Sequence, residues 1–541
     1  MRSDLAGTAL LLVAFVAPPS SAADPAIKVT VIAQEGQLVP GVGNITSIAN
    51  LAVTDFGTTF VEVDTNNADT LIDSVLLKDG ALHLQEGQAL PLPSGAGLGT
   101  FDAITLNDAG NSAWNFFLDG TAGSTFDSGV YFNTTLLIQE GDTATATAFS
   151  AGTVFRGFFE TKINESDDIL LIGSADDPAI ASTVDQFLMT LTSSGTQTVL
   201  LKEGDSIPGV IGPVVTTFGT GPHNFDLNAG GDRLHFADTD AASAVDGFIL
   251  RNGQPIAREG DPSPVAARNW SSLSSPELSL NDDGDEIFSG SLAGDSASNL
   301  LIAKNGAKFR QEGDTLPAIA GFTFTSFGSG PLELANRGAP TDFADVLWFG
   351  DWTAATTQDT GLFLDEKLLL QEGVDQIGGV AIEDVRGIQD GYAMSDDGRY
   401  ILAELNLVGS IDTAVLLDLG PWEKLGQGLT GATSPKLRGF GQLAAGTATT
   451  LRLTDGIPGG TANLIVGLSQ ANVSLLGGTL VPSPDVIVFG LPLDGNGQLE
   501  FSATWPAGVP VGTKVTLQYW NDDATAPFQY SASNAVVGTA Q

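Results

Sequence analysis

A glutamate followed by a glycine recurs seven times between residues 34 and 373, each time after an apolar run that is typical of a strand. The glutamates are 51, 54, 63, 56, 53 and 60 residues apart; they are Glu35, Glu86, Glu140, Glu203, Glu259, Glu312 and Glu372. A period of this length is typical of propeller blades and long-repeat arrays. The repeat therefore constrains the fold more than any other feature of the sequence.

Each repeat also carries the signals of two hairpins. Before the glutamate, Asp79-Gly80 separates two strand-like runs, and Asn252-Gly253 and Asn305-Gly306 occupy the same place in later repeats. Such dipeptides favour two-residue β-hairpin turns. Farther upstream, an Asn-Asp-x-Gly type of turn at residues 107–110 joins a second pair of runs, with counterparts near residues 55, 164, 228, 281, 336 and 396. We therefore predict four short antiparallel strands per repeat, which is the content of a propeller blade.

The two ends of the repeat region each lack a partner. A strand-like run at residues 27–33 has no blade before it, and the chain continues from residue 373 to residue 420 without an eighth glutamate motif. Pairing the two ends beside residues 414–417 would complete the last blade and remove two exposed sheet edges. We predict an all-β seven-bladed β-propeller over residues 24–420, closed by this strand exchange, with Val29, Val31 and Ala33 facing the last blade's core. An open array or an irregular six-bladed ring is the alternative.

The composition changes after residue 420. The glutamate motif stops, and Gly, Thr, Leu and Val become frequent around strand-like runs at residues 449–453, 464–468, 499–503 and 515–520. This spacing is typical of a small sandwich. We predict a linker over residues 421–435 and a β-sandwich over residues 436–541.

Two resemblances agree with this division. The patterns Gln-Glu-Gly-Asp-x-Leu-Pro, as at residues 311–317, and Leu-Asn-Asp-x-Gly, as at residues 106–110, resemble an uncharacterised family of exported bacterial propeller-like repeat proteins. That resemblance covers roughly residues 30–420. The tail, with Leu-Gln-Tyr-Trp-Asn-Asp at residues 517–522, resembles a small β-sandwich that ends many exported proteins of planctomycetes and myxobacteria. The resemblances imply architecture and export, and neither implies an activity or catalytic residues.

The N-terminus has the layout of a secretory signal peptide. Arg2 precedes an apolar run at residues 10–16, and small residues follow at residues 20–23. A membrane anchor is the alternative, but the run is shorter than the roughly 20 residues that span a bilayer. We predict that residues 1–23 are removed and that the mature chain is secreted, either periplasmic or extracellular.

Charge and composition narrow the function classes. With 64 acidic and 22 basic residues the formal net charge is -42, which repels nucleic-acid phosphate and anionic lipid. The absence of cysteine excludes disulfides, thiolate catalysis and Cys-ligated zinc. We expect no nucleic-acid partner, no membrane span in the mature chain, and a non-catalytic binding or structural protein whose partner is an extracellular glycan or envelope protein. The alternative is an extracellular polysaccharide hydrolase or lyase that uses carboxylates in the propeller funnel.

Departures from the repeat are better functional candidates than the repeat itself, because loops on one face of a ring can vary without breaking it. His223 and His235 flank the turn of the fourth repeat and form a candidate ligand-binding or metal-binding pair. Trp270 and Trp352 are candidates for stacking on sugar rings, although aromatic residues in sheets usually belong to the core. We assign the seven repeated glutamates to a structural role at a turn.

Asp282, Asp283 and Asp285 are the candidate metal ligands, since they offer the hard oxygen atoms that Ca²⁺ prefers. Their spacing does not match an EF-hand, and an ordinary hairpin turn is the alternative. The sequence singles out no catalytic residue.

Overall fold

The computed structural model describes residues 26–178, 185–274, 276–336 and 345–541. These residues contain antiparallel β-strands and two short 3-10 helices, Pro317–Ile319 and Pro527–Gln529, so the predicted all-β fold is confirmed for them. Among them, no helix has the length and apolar character needed to cross a membrane. The predicted signal peptide, residues 1–23, lies outside the described residues.

Seven antiparallel sheets follow one another along the repeat region of the described chain, and we number them 1 to 7 in the order of the repeats. In sheets 1 to 3 the strands lie in chain order. Sheet 1 contains Leu38–Val39, Gly43–Val53, Thr59–Thr65, Ser74–Lys78 and Ala81–Gln85; sheet 2 contains Gly97–Leu106, Ser112–Asp119, Ser128–Phe132 and Thr135–Gln139; sheet 3 contains Val154–Ile163, Asp168–Asp176, Asp185–Thr192 and Gln197–Lys202.

Sheets 4 to 6 differ in that the first strand of the repeat is split into two short strands, which both pair with the next strand. Sheet 4 contains Val215–Phe218, Phe225–Leu227, Arg233–Thr239, Phe248–Arg251 and Gln254–Arg258; sheet 5 contains Trp270–Ser272, Leu278–Leu280, Glu286–Leu292, Leu300–Lys304 and Ala307–Gln311; sheet 6 contains Phe324–Ser326, Glu333–Leu334, Val346–Trp352, Thr360–Leu364 and Lys367–Gln371. Sheet 7 contains Gln376–Ile377, Val380–Val385, Tyr392–Met394, Tyr400–Leu407, Ile411–Asp418 and, from the start of the chain, Lys28–Gln34.

The first strand of the chain is the outer strand of sheet 7. Lys28–Gln34 pairs antiparallel with Ile411–Asp418. Ala33 is buried as predicted, but Val29 and Val31 are 39% and 43% exposed, so the prediction that they face the core is wrong. A register shift between Val31 and Ala33 interrupts the alternation of the strand, which is why these residues do not share one face.

The residues that predict the hairpins adopt the backbone conformation that a tight turn needs. Asp79, Asn252 and Asn305, which each precede a glycine, have φ angles of 50°, 51° and 50°. Asn and Asp tolerate this left-handed region better than other non-glycine residues. Their side-chain oxygens also accept hydrogen bonds of 2.9 to 3.0 Å from the backbone N–H that begins a neighbouring strand of the same sheet.

The core of the repeat region is divided among clusters of buried apolar side chains, and each cluster joins two neighbouring sheets. One cluster packs Leu402 and Ala414 of sheet 7 against Val61 and Val63 of sheet 1. The remaining clusters join sheets 1 and 2, 2 and 3, 3 and 4, 4 and 5, 5 and 6, and 6 and 7. Each sheet therefore buries its two faces against different neighbours.

The residues after 421 form two further sheets and a hairpin that lie outside the repeat pattern. The larger sheet has the order Trp422–Gly426, Ala535–Thr539, Lys514–Asp522, Thr461–Gly467 and Val486–Pro492, with Tyr530–Ala532 paired to Lys514–Asp522. The smaller sheet contains Lys436–Phe440, Ala448–Thr454 and Leu499–Thr504, and the hairpin contains Gln470–Leu475 and Gly478–Pro482. Leu451, Leu464 and Tyr519 belong to a core cluster that both sheets share.

The predicted linker, residues 421–435, contains a strand. Trp422–Gly426 pairs with Ala535–Thr539 at the far end of the chain, so the linker prediction is wrong for these five residues. A short edge strand has too few residues to show a clear alternation of apolar and polar side chains. It forms because it pairs with a strand that is remote in sequence, and that partner cannot be recognised from the local pattern.

The C-terminal residues also contact the repeat region directly. Phe440 belongs to the apolar cluster of sheets 6 and 7. Arg438 forms an ion pair with Asp345 of that region, and Gln498 Nε2 donates a 2.6 Å hydrogen bond to Glu366 Oε2. These contacts fix the C-terminal sheets against sheets 6 and 7.

Candidate binding site

We call the strands that end at residues 53, 106, 163, 227, 280, 334 and 394 the innermost strands of sheets 1 to 7. The turns that follow them are hydrogen-bonded to one another in a circuit that we call the turn ring. The turns begin at Thr54, Asn107, Asn164, Asn228, Asn281, Ala335 and Ser395. Each turn is bonded to the turn of the next sheet. The last turn is bonded to the first, because Asp397 N donates to Asp55 Oδ1 at 2.7 Å.

Buried asparagines account for much of this circuit. Asn228 Oδ1 accepts a 2.9 Å hydrogen bond from Asp232 N within its own turn, and Asn228 Nδ2 donates to the carbonyl oxygen of Asn281 at 3.1 Å. Asn164 and Asn281 make the same two kinds of contact. One amide side chain thus stabilises a turn and ties it to the next, since it carries both a donor and an acceptor.

The second residues of the turns bring acidic side chains together. Asp108, Glu165 and Asp396, from sheets 2, 3 and 7, each have an oxygen within 4.8 Å of the other two. Within the described residues this is the one group of three or more His, Asp or Glu side chains with a spacing that could hold a metal ion. The side chain of Asp396 is exposed at the surface. Its carboxyl group nevertheless loses part of its hydration to the protein around it, and this desolvation and the charge of Asp108 raise the pKa of Asp396 well above its usual value.

A second group of ionisable side chains lies on or just before the innermost strands of sheets 3 to 7, and we call it the central cluster. Its members are Glu160, Lys162, His223, Glu277, Glu333 and Asp390. The charges of Lys162 and Asp390 act on the pKa of the other four members. The five sheets therefore bring these side chains within electrostatic range of one another.

His223 and Asp390 are in contact inside the cluster, with 3.3 Å between His223 Nε2 and Asp390 Oδ1. Burial and the charge of Lys162 lower the pKa of His223, and Asp390 opposes this effect only in part. Burial acts to raise the pKa of Asp390, but His223 and Lys162 outweigh it and hold that pKa below its usual value. At neutral pH this part of the cluster is a neutral imidazole beside an ionised carboxylate.

The three glutamates of the cluster respond in the opposite direction. Burial raises the pKa of Glu277 to about 8, that of Glu333 to about 7, and that of Glu160 well above its usual value. Glu277 is 8% exposed, and its buried Oε2 has no hydrogen-bond partner among the described residues. A buried acceptor without a donor costs about 1–3 kcal/mol, so this oxygen is an atom that a ligand could satisfy.

The buried acids of sheets 1 and 2 differ from Glu277, since asparagine side chains satisfy them. Asn50 Nδ2 donates to Glu62 Oε2 at 2.6 Å, and Asn115 Nδ2 donates to Asp102 Oδ2 at 2.6 Å. Burial still raises the pKa of Glu62 to about 8 and that of Asp102 to about 6. Glu62 and Asp102 thus each have a hydrogen-bond donor for a carboxylate oxygen, whereas Glu277 Oε2 in sheet 5 has none among the described residues.

Of the two histidines that the sequence singles out, one belongs to the central cluster. His223 contacts Asp390, as described above. His235 lies opposite Phe225 within sheet 4, both of its ring nitrogens lack a partner among the described residues, and burial lowers its pKa to about 3. The two histidines are not together in any group of metal-ligand spacing in the described part of the chain.

The two candidate tryptophans are core residues. Trp270 and Trp352 are 3% and 2% exposed. Trp270 packs on Phe288 with 5.5 Å between ring centroids, and Trp352 meets Phe363 edge-on at 5.8 Å. The prediction that these rings stack on sugars does not fit the structure, because their faces are needed for packing between strands.

The candidate metal ligands in sheet 5 are engaged elsewhere. Both oxygens of Asp282 accept hydrogen bonds from neighbouring turns, at 2.6 and 2.9 Å, and Asp285 Oδ1 accepts one from Asn305 Nδ2 at 2.8 Å. Asp282, Asp283 and Asp285 do not form a group of metal-ligand spacing among the described residues. Asp282 is instead a link of the turn ring.

The repeated glutamates lie after the outer strands, and those of sheets 4 and 5 accept hydrogen bonds from the backbone, whereas the buried Oε2 of Glu203 in sheet 3 has no hydrogen-bond partner among the described residues. Glu259 Oε1 accepts a 2.8 Å hydrogen bond from Leu273 N, and Glu259 Oε2 accepts one of 3.3 Å from Gly247 N. Glu312 Oε2 accepts a 2.9 Å hydrogen bond from Asn299 N. For Glu259 and Glu312 these contacts agree with the structural role that the sequence analysis assigned to the motif.

Sequence reasoning missed most of the central cluster, although a signal was present. Glu160 and Glu277 stand four residues before the first residue of their turns, and Lys162 and Glu333 stand two residues before theirs. Because side chains alternate along a strand, these positions lie on one face. A charged residue on the same face of an otherwise apolar strand in several repeats is the pattern that would have identified the cluster.

Comparisons with known proteins give a family without an assigned function. Residues 23–248 match a family described as a family of unknown function (DUF7453). No curated protein matches the chain.

Two solved structures show distant likenesses. An alpha-L-arabinanase of Penicillium chrysogenum, complexed with arabinobiose, is similar at 11% identity over 58% of this chain and 91% of that chain, with a TM-score of 0.31. TcdA4 of Morganella morganii is similar at 11% identity over 92% of this chain and 21% of that chain, with a TM-score of 0.13. Scores this low carry no argument about how the present chain works.

Proposed function

We propose that this chain is an exported β-propeller that binds a ligand at its central cluster without transforming it. The observation that carries the proposal is Glu277, whose buried Oε2 lacks a hydrogen-bond partner among the described residues and which lies near Lys162 and Asp390. Ligand sites typically combine a pre-formed setting with a few convergent polar groups. A ligand that donates a hydrogen bond to Glu277 would remove the cost of leaving that oxygen unsatisfied.

Several contacts support a closed ring of seven blades. The first strand pairs with Ile411–Asp418, sheets 7 and 1 share an apolar cluster, and the turn ring returns from Asp397 to Asp55. In a propeller the innermost strands surround the axis, so the central cluster would line that axis. We further propose that the residues from 422 onward form a β-sandwich, since their two sheets share one core.

Export is part of the proposal and rests on the N-terminal sequence. Arg2, the apolar run and the small residues at 20–23 together have the layout of a cleavable signal peptide. N-terminal sequencing of the protein from the extracellular or periplasmic fraction should give a mature chain that begins near residue 23 or 24. An intact chain retained in the cytoplasm would contradict export.

The binding proposal can be tested with the matched pair Glu277→Gln and Glu423→Gln, because Glu423 is an exposed glutamate on the strand Trp422–Gly426 of the C-terminal sheets and is not a member of the cluster. We expect the wild-type protein and Glu423→Gln to retain the same ligand on glycan arrays or in pull-downs from cell envelopes, and Glu277→Gln to lose it. Mass spectrometry should recover that ligand unchanged. Equal retention by all three proteins would rule out the central cluster as the binding site.

A second candidate function is hydrolysis or lysis of an extracellular polysaccharide. The observation that favours it is the opposite behaviour of Glu277, whose pKa is raised to about 8, and Asp390, whose pKa is lowered. A protonated carboxyl beside an ionised carboxylate is the division of roles that an acid–base pair needs. Release of new sugar ends that falls about a hundredfold or more in both Glu277→Gln and Asp390→Asn would support this candidate and contradict the non-catalytic proposal.

A further inference from the structure

The charges of the central cluster limit the chemistry of its ligand. Lys162 is the single basic member, whereas Glu160, Glu277, Glu333 and Asp390 are acidic. Asp226 adds a further carboxylate that acts on the pKa of Glu333. Above the raised pKa values of the glutamates these acids are ionised, and an anionic ligand would then add negative charge to an excess of carboxylates, which is electrostatically unfavourable.

The unsatisfied atom narrows the choice further. Once Glu277 is ionised, its buried Oε2 is a hydrogen-bond acceptor only, so a ligand atom that completes the carboxylate must donate a hydrogen bond. A single metal ion does not fit the cluster, because within the described residues metal-ligand spacing occurs at Asp108, Glu165 and Asp396 and not around Glu277. A donor that also carries positive charge would offset the excess of carboxylates.

We infer that the central cluster binds the primary ammonium group of a small organic amine, which donates a hydrogen bond to Glu277 Oε2. This inference rests on the proposed function and names the ligand class of the same site. An ammonium group has three donors and no acceptor, which matches a cluster of carboxylates. Charge-assisted hydrogen bonds of this kind are about twice as strong as neutral ones.

Binding of an ammonium group should expel protons from the cluster. The groups that act on Glu277 are Lys162 from sheet 3 and Asp390 from sheet 7, and Tyr392 of sheet 7 is itself affected by Glu277. Because burial raises the pKa of Glu277 to about 8 and that of Glu333 to about 7, both are partly protonated near neutral pH. The cation favours their ionised forms, so the affinity for an amine that stays protonated in this range, such as spermidine, should rise from pH 6 to pH 9.

Titration calorimetry on the full chain in 150 mM salt tests the inference with matched probes. Spermidine and glucosamine carry the ammonium group, whereas N-acetylglucosamine has the same sugar ring without the charge. We expect binding of at least one amine, no binding of N-acetylglucosamine, and proton release at pH 7 seen as different heats in two buffers. Which amine binds more tightly distinguishes a polyamine from an amino sugar.

The variants locate the site. Glu277→Gln should weaken amine binding about tenfold or more, whereas Glu423→Gln should leave it unchanged. If Glu277→Gln fails to fold, Glu333→Gln serves as the second variant, and its expected loss is smaller. The inference would be overturned if both Glu277→Gln and Glu333→Gln bound the amine as tightly as wild type, or if the protein bound calcium chloride but no amine. A neutral ligand that depends on Glu277 would overturn it too, yet leave the proposed function standing.

Discussion

Outer and inner strands of the same sheets use buried glutamate in different ways. Glu259, after the outer strand of sheet 4, is 5% exposed, and both of its oxygens accept backbone hydrogen bonds. Glu277, before an inner strand of sheet 5, is 8% exposed, and its Oε2 has no partner among the described residues. Similar burial therefore does not imply a similar role, and the partners of the carboxylate decide between structure and binding.

The two glutamates also differ in how regularly their positions are occupied along the repeats. The motif glutamate recurs after every outer strand, and in sheets 4 and 5 it accepts hydrogen bonds from backbone N–H groups at that place. The inner position carries Glu160 in sheet 3 and Glu277 in sheet 5, whereas the other sheets have Asn50, Ala103, Asn224, Pro331 and Gly391 there. A residue that is free to vary while its repeat is kept is the better candidate for a function of its own.

The largest effect is expected from removing the first strand, since it completes sheet 7, which packs against both sheet 6 and sheet 1. Deletion of residues 24–36 would leave Ile411–Asp418 as an exposed sheet edge and remove the backbone hydrogen bonds of Lys28–Gln34. At about 1 kcal/mol for each hydrogen bond, the free energy of unfolding should fall by a few kcal/mol, and the protein should aggregate. Calorimetry and size-exclusion chromatography measure both. A truncated protein that melts as the full chain does and stays monomeric would contradict the closed ring.

The outer-strand glutamate should come next. Glu259→Ala leaves the backbone N–H groups of Leu273 and Gly247 without their acceptor, so the free energy of unfolding should fall by about 2–4 kcal/mol. Glu259→Gln keeps one side-chain oxygen and should lose less. Urea unfolding at constant pH provides the measurement. A Glu259→Ala protein within about 0.5 kcal/mol of wild type would remove the structural half of the comparison.

The inner-strand glutamate, Glu277, should affect the pH dependence of the free energy of unfolding. Burial raises the folded-state pKa of Glu277 from 4.5 to about 8, so its contribution to stability is present below pH 4.5 and is lost as pH rises through 8. One such group gives a slope of about 1.4 kcal/mol per pH unit between those values. Glu277→Gln should lack this slope and gain on wild type from pH 5 to pH 8 in urea unfolding, whereas Glu423→Gln should follow wild type. Parallel profiles for all three proteins would show that Glu277 is not buried as described.

The smallest effect belongs to an exposed residue of the strand whose removal should matter most. Val31 is 43% exposed, so Val31→Thr should change the free energy of unfolding by less than about 0.5 kcal/mol. Together with the deletion, this variant separates the pairing of the strand from the burial of its side chains. A loss above about 1 kcal/mol in Val31→Thr would mean that side-chain packing contributes more than the structure indicates.

The strands of the repeats could be predicted because the turns between them depend on neighbouring residues in the sequence. Asp79, Asn252 and Asn305 mark hairpins because their turns need a positive φ, and the structure has it at all three. The lone strand before the first repeat was predictable from its missing partner, but the register shift that exposes Val29 and Val31 was not, since a bulge depends on the partner strand. The strand Trp422–Gly426 was missed for the same reason.

The candidate site was harder to predict, because its members meet only through the arrangement of five sheets. His223 was identified as an exception to the repeat, whereas its contact Asp390 lies three sheets away along the chain. Trp270 and Trp352 were conspicuous in the sequence and are core residues in the structure. Rarity of a residue type therefore predicted the site less well than charge within an apolar strand.

The turn ring has a consequence for how the molecule comes apart. In a linear stack of repeats, a terminal unit has one neighbour and can fray by itself. The hydrogen bonds of the turn ring give every turn two neighbours, and the bond from Asp397 to Asp55 leaves no terminal turn. Detaching one sheet at its turn then means breaking two links, not one, before any of the others is released. Resistance to partial opening, and with it to proteolysis, would thus come from connectivity more than from the strength of any single contact.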